Sequence, residues 1–301
     1  MKKSFLKKPL SIILSGLALC LTLTGCNDTN TTKPDNTPDE YGVVADDYGI
    51  DVLIKVHNGL LEKHTTYVPY FRFSQYQSDS KKYNYISIDT YAEDHTKNVQ
   101  FYTGKLLDKP GSYTREHVWA CANSNGMWTH NKSDGANYVD GTGYKGGGSD
   151  LYHIRPCDSA INTWRGSGKF YEFNDNEKKY EYTDGGPYKM YTNVDGDFAT
   201  KVEPDDHYKG DIARILMYVY VHYINMGVTN DYTGPLKLTD VFNSNYSLSE
   251  VQQLMVKWNE LDPVDETEKL RNDTIETIQG NRNPFVDHPE YMRRIFNLDE
   301  E

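Results

Sequence analysis

The stretch Tyr113-Thr-Arg-Glu-His-Val-Trp119, followed by Asp150-Leu-Tyr-His-Ile-Arg-Pro156 and Ala160-Ile-Asn-Thr-Trp-Arg-Gly166, decides how the rest of this chain is read. A Glu-His pair, a second histidine and an Asn-x-x-Arg pair lie within it. Carboxylate and amide oxygens suit a hard divalent ion, which takes few protein ligands and keeps several waters. A neutral imidazole can take a proton from water near neutral pH. Glu116 and His117 are adjacent, so in a regular strand they point to opposite faces. They serve one site only if the strand ends or bulges there. Asp158 or Ser159 can cap a helix starting near Ala160, and Asn162 and Arg165 share a face of that helix at i, i+3. The expected order is a strand over 113–119, a loop, a strand over 150–154 stopped by Pro156, and a helix.

The intervening loop, 120–149, holds Gly126, Gly135, Gly141, Gly143 and the run Gly146-Gly147-Gly148. Its length marks it as functional or mobile. It lacks the Lys-Ser/Thr ending of a phosphate-binding loop. His153 reads as a support for the site or a core filler rather than a ligand.

Upstream, apolar Val52, Ile54, Leu60 and Leu61 predict a helix over 51–61, and 66–73 reads as extended. Alternation predicts a strand over 83–89 and a second over 101–103, before the Pro110-Gly111 turn. Downstream, 174–206 is polar and reads as loops. Ile212, Ile215, Leu216, Val219 and Tyr223 give an amphipathic helix over 208–225, in which Asp211 and Arg214 read as a structural pair. A further helix over 249–258 turns Val251, Leu254, Met255 and Trp258 inward. The last long helix is expected over 263–279, capped by Asp262, with Pro263 at its first position and Gly280 as its stop. Asp287 and His288 read as packing of the final turn. The class is α+β, with helices dominating the second half.

Tyrosine is abundant, at 25 residues among 301, so much of the core is aromatic and its hydroxyls need partners. The formal charge is −12; removing residues 1–25, with four lysines and no acid, takes it to −16. Such a balance argues against gripping nucleic acid by phosphate neutralisation alone. The stretch from Arg115 to Lys169, with six basic residues against five acids, is the long segment that does not repel a polyanion.

Lys2, Lys3, Lys7 and Lys8 precede an apolar run from Leu10 to Leu23, then Gly25-Cys26. This describes an export signal, and the run falls short of the ~20 residues of a membrane span. Leu23-Thr-Gly-Cys26 resembles a bacterial lipobox, which implies cleavage before Cys26 and a lipid anchor on its sulfur. Residues 26–47, rich in Asn, Asp, Thr and Pro, read as a solvated tether, and 48–301 as the folded domain. Cys121 and Cys157 then remain, in a setting where disulfides persist, as a bonded pair or as free thiols. A zinc site from these cysteines with His130 or His153 lacks ligand spacing, and no His-Glu-x-x-His helix supports a zinc protease.

Taken together, these blocks resemble the bacterial endonuclease I family of ββα-metal (His-Me finger) nucleases. The matching residues are Arg115 to Trp119, Asp150 to Pro156, Ile161-Asn162 with Arg165-Gly166, Lys209 to Arg214, Arg271-Asn272-Asp273, and Gly280 to Pro289, in the family's order. The resemblance covers roughly Tyr113 to Phe296 and rests on the set rather than on any single block. It implies a ββα-metal core and an endonuclease that cuts DNA, with RNA as a wider substrate, without sequence preference; with the export signal and in-line attack by water, the expectation is an exported monomer that leaves 5′-phosphates. Carried over by position, His117 is the general base. Glu116 and Asn162 hold one divalent ion, Mg²⁺ with Mn²⁺ or Ca²⁺ as alternatives. Arg155 and Arg165 fall in motifs that contact phosphate or brace the site. Tyr152, Ala120 and Ser167 depart from residues common in the family, which touches substrate contacts more than chemistry. The competing reading is an inactive lipoprotein that captures sugars or proteins through its tyrosines; an intact Glu116, His117 and Asn162 set argues against it.

Overall fold

Among the described residues no strand exceeds four residues, so the sheets are small and the helices carry most of the core. The computed structural model describes residues 36–68, 88–109, 113–123, 147–195, 198–224 and 236–298. The chain divides into two units, 1–35 and 36–301, and these residues belong to the second. In chain order its elements are α1 (Ile50–Lys63), β1 (Lys97–Val99), β2 (Leu106–Asp108), β3 (Thr114–His117), β4 (Ile154–Cys157), α2 (Ser159–Arg165), β5 (Lys169–Phe170), β6 (Tyr180–Tyr182), β7 (Met190–Thr192) and β8 (Lys201–Pro204). Five helices complete it: α3 (Asp206–Tyr223), α4 (Leu248–Leu261), α5 (Glu266–Gln279), α6 (Pro284–Asp287) and α7 (Tyr291–Phe296). The class is mixed α+β, as expected. No helix among the described residues is long and apolar enough to cross a membrane.

The central pair is β3 with β4, antiparallel, with Glu116 opposite Arg155 and His117 opposite Ile154. The second strand lies later than the sequence suggested. Asp150 to His153 form a turn instead, in which the Asp150 carboxylate accepts from Tyr152 N–H and its carbonyl from His153 and Ile154 N–H. Pro156 does not stop β4 but sits inside it. Its carbonyl accepts from Phe101 N–H, so that edge of the residue faces away from β3 and the missing N–H leaves the β3–β4 ladder intact. Asp158 then caps α2, accepting from Ala160 and Ile161 N–H.

Several other expectations change for identifiable reasons. The strand expected over 101–103 is the turn joining antiparallel β1 and β2. Tyr102 has a φ of 70° there, and Phe101 and Tyr102 plug the core from the turn. The 174–206 region is not loop alone. Its three strands, β6, β7 and β8, join β5 in a four-stranded sheet in the order β5-β8-β7-β6, parallel only between β5 and β8, and each is too short to advertise itself by alternation. Helix α1 matches its expectation, but Ile54 and Leu61 are exposed while Val56 and His57 share the inner face with Val52 and Leu60. Of 66–73 and 83–89, only 66–68 and 88–89 are described, and neither is strand; the rest lies outside the described residues. The packed unit reaches back before Tyr48: Tyr41 and Val43 are buried, and Arg294 of α7 donates to the carbonyls of Val44 and Asp47.

Helix α3 is the axis of the second half. Asp205 caps it, and its buried residues run round most of its circumference because α1, α4, α6 and β8 pack on different sides. The α3–α4 approach depends on Gly210: a Cβ there would lie 1.9 Å from the Asp262 carbonyl oxygen. Asp262 therefore does not cap the last long helix. It ends α4 and turns its carboxylate to Gly210 N–H, while Asp265 caps α5 by accepting from Glu268 N–H. Gly280 ends α5 in the left-handed conformation, as read from sequence.

Buried ion pairs tie these helices to the central strands. Asp89 accepts from Arg155 Nε at 2.8 Å and Arg271 Nε at 2.9 Å. Arg155 continues to Asp211, which meets Arg214, which in turn holds Glu268. Breaking a buried pair leaves an uncompensated charge, so Asp89→Ala should lower the unfolding free energy by about 3–5 kcal/mol. Asp108→Ala, which removes the exposed partner of Lys97, should change it by about 0–1 kcal/mol. Urea denaturation checks both, and equal losses would contradict this ranking.

Candidate active site

Residues two apart on a strand share a face, so Thr114 and Glu116 of β3 point the same way. Residues three apart on α2 do likewise, and the two faces meet. Asn162 Nδ2 donates to Thr114 Oγ1 at 3.0 Å and to the Arg115 carbonyl at 3.3 Å. One turn on, Arg165 Nε lies 3.4 Å from Glu116 Oε1, an ion pair rather than a hydrogen bond. The remaining nitrogens of Arg165 donate to the carbonyls of Val118 at 2.6 Å and Gly166 at 3.0 Å. The i, i+3 spacing read from the sequence thus lays Asn162 and Arg165 along the Thr114–Glu116 face.

Glu116 is buried, with 2% exposure. Its Oε1 accepts from the Tyr102 hydroxyl at 2.7 Å, and Oε2 makes no hydrogen bond among the described residues. Burial raises its pKa above the usual carboxylate range, and Arg165 and Tyr102 offset part of that rise. Asn162 commits its amide nitrogen to two acceptors, which orients its amide oxygen away from them. One carboxylate oxygen and one amide oxygen are a donor set that fits a hard divalent ion such as Mg²⁺, and a cation beside Glu116 favours its ionised form.

Strand β3 ends at His117, as a shared site for adjacent residues requires. His117 Nε2–H donates to the Gly148 carbonyl at 2.8 Å, which puts the lone pair of the neutral ring on Nδ1. Burial first, and then neighbouring His153, pull its pKa down to about 3, although the residue keeps partial exposure. His153 is wholly buried: it donates to the Gly147 carbonyl at 2.6 Å and accepts from Trp119 N–H at 2.9 Å. It supports the turn that holds His117, in line with the sequence reading.

The structure separates the two arginines singled out from sequence. Arg165 holds Glu116, whereas Arg155, though opposite Glu116 in register, is tied to Asp89 and Asp211 and stacks on Phe101. Arg155 instead lines a cavity of about 610 Å³ shared with Tyr188, Asp211, Asp262 and Glu268, which Glu116, His117, Asn162 and Arg165 do not line. Cys26 and the 124–146 part of the glycine loop lie outside the described residues. Cys121 and Cys157 are not joined, and Cys157 is a buried thiol. Sequence reasoning missed Tyr102 and the Gly148 carbonyl. Nothing local marks a turn tyrosine as the partner of a carboxylate 14 positions later.

The family described as Endonuclease I matches residues 55–290. An extracellular ribonuclease of Bacillus subtilis is 37% identical over 188 residues, 62% of this chain and 54% of the relative. One from Bacillus amyloliquefaciens is 36% identical over the same shares. Endonuclease-1 of Buchnera aphidicola is 28% identical over 176 residues, 57% of this chain and 60% of the relative. The chain therefore spans little more than half the length of these relatives.

Removing the Arg165 charge should cost about 3–5 kcal/mol of stability, because Glu116 is then buried without a cation. Arg165→Lys should recover little of what Arg165→Met loses, since one ammonium cannot reach Glu116, Val118 and Gly166 together. Thermal unfolding of both variants checks this, and full recovery by lysine would count against the forked geometry.

Proposed function

The chain belongs to the endonuclease I family, and on that premise we propose that it is a metal-dependent endonuclease that hydrolyses phosphodiester bonds of DNA and RNA without sequence preference. The relatives named ribonuclease and endonuclease support this substrate class. The observation that carries it is the commitment of the Asn162 amide nitrogen to Thr114 and Arg115, which leaves its oxygen, with Glu116 Oε2, as ligand atoms beside the end of β3. Strands β3 and β4 with α2 form the ββα core of this reading. The mature protein is exported and anchored through a lipid on Cys26, with residues 1–25 removed.

Glu116 and Asn162 hold one divalent ion, Mg²⁺ by the hardness of their oxygens, with Mn²⁺ or Ca²⁺ as substitutes. When bound, the ion stabilises the negative charge that builds on the phosphate and on the leaving oxygen. His117 Nδ1 takes the proton of the attacking water. The Gly148 carbonyl fixes the ring for that role through Nε2–H. Burial keeps the His117 ring neutral before substrate binds, and an approaching phosphate favours the imidazolium that proton transfer creates. Arg165 and Tyr102 keep Glu116 in position rather than touching substrate.

His117→Ala should lower the cleavage rate by about 10²–10⁴ while leaving the melting temperature near that of the wild type. Glu116→Ala and Asn162→Ala should raise the Mg²⁺ concentration needed for half-maximal cleavage. Full activity in His117→Ala would remove the base from this assignment, and unchanged Mg²⁺ dependence in both other variants would move the ion elsewhere.

A further inference from the structure

Among the described residues, four of the five buried carboxylates have an arginine or lysine at ion-pair distance. Asp89 has Arg155 and Arg271, Glu116 has Arg165, Glu203 has Lys209, and Glu268 has Arg214. Asp150 is the exception. It is 2% exposed, and its ion-pair contact is His64 Nδ1 at 3.9 Å. A buried charge is normally paired, hydrogen-bonded or bound to a metal, and Asp150, held by donors from Tyr152, Tyr218, Tyr223 and Gln279, has no arginine or lysine beside it among the described residues.

We propose that His64, His222 and Asp150 form a structural metal site, separate from the Glu116–Asn162 pair, that takes a transition ion of the Zn²⁺ type. One ligand atom from each lies within 4.8 Å of the others, and all three residues are buried. They come from different elements: His64 caps the end of α1, His222 lies in the last turn of α3, and Asp150 precedes β4. The surroundings orient His64 and Asp150 as metal ligands are oriented. His64 Nε2 lies 3.1 Å from the Thr66 carbonyl, and Asp150 Oδ2 accepts from the hydroxyls of Tyr218 at 2.8 Å and Tyr223 at 2.6 Å. Two imidazoles and a carboxylate suit Zn²⁺, whereas Mg²⁺ and Ca²⁺ prefer oxygen.

Without an ion, His64 Nδ1 and His222 Nε2 share a hydrogen bond of 2.7 Å. Ligation parts them to roughly 3.3 Å, the spacing of two nitrogens each ~2.05 Å from a tetrahedral ion. Among the described residues His222 Nδ1 has no hydrogen-bond partner, so no second bond fixes that ring's tautomer. The ion would join α1, α3 and the turn that supports His117, since Asp150 follows the Gly147–Ser149 turn.

The test is metal analysis and thermal unfolding of the purified protein prepared without chelator. About one zinc per chain should copurify with wild type and with Glu116→Gln, and be lost from His222→Gln. Wild type stripped with a strong chelator should melt lower and recover with Zn²⁺ but not with Mg²⁺. A stripped wild type that does not respond to Zn²⁺ would overturn the proposal, as would zinc held equally by His222→Gln. A melting temperature that follows pH but not Zn²⁺ would also overturn it, because a shared proton would then neutralise Asp150.

Discussion

A carboxylate taken out of water persists as an anion only beside a cation or several donors, and Glu116 is such a carboxylate at the centre of this fold. Its partners come from two elements, Tyr102 from the β1–β2 turn and Arg165 from α2, and β3 carries it between them. Satisfying one charge therefore fixes the hairpin, the central strand and the helix against one another. Arg165 extends the hold to the carbonyls of Val118 and Gly166, at the end of β3 and the end of α2. The same rule operates at Asp89, which gathers Arg155 from β4 and Arg271 from α5.

Because structural pairs hold these elements, the remaining polar atoms are left for the proposed chemistry. Asn162 uses its nitrogen on β3 and keeps its oxygen, and Glu116 uses one oxygen on Tyr102 and Arg165. His117 is anchored at Nε2 by a backbone carbonyl that no side-chain substitution removes. The tyrosine-rich composition fits the same pattern. Buried Tyr102, Tyr152, Tyr208, Tyr218 and Tyr223 each place a hydroxyl on a carboxylate or a backbone carbonyl, so the aromatic core is also a hydrogen-bonded one.

The sequence made some of this legible and hid the rest for physical reasons. The Asn162–Arg165 spacing, the Asp158 cap, the inner face of α4 and the Gly280 stop are local signals, and each appears where its residues put it. Asp262 and Asp265 carry equal capping chemistry three residues apart, and the choice between them depends on Gly210 of a different helix. Strands of two to four residues, such as β5 to β8, are shorter than the alternation needed to recognise them. Pro156 was misleading because an edge with no ladder to break tolerates proline. Arg155 and Arg165 look alike in sequence, and only distant Asp89, Asp211 and Glu116 distinguish what each one holds.

The most direct test is digestion of plasmid DNA and of RNA by the purified protein, with Mg²⁺ and with EDTA in excess, followed by analysis of the new ends. The account predicts degradation with Mg²⁺ that EDTA abolishes, leaving 5′-phosphates. Well-folded protein that leaves both substrates intact with Mg²⁺, Mn²⁺ and Ca²⁺, or that cuts equally well in EDTA, would contradict it.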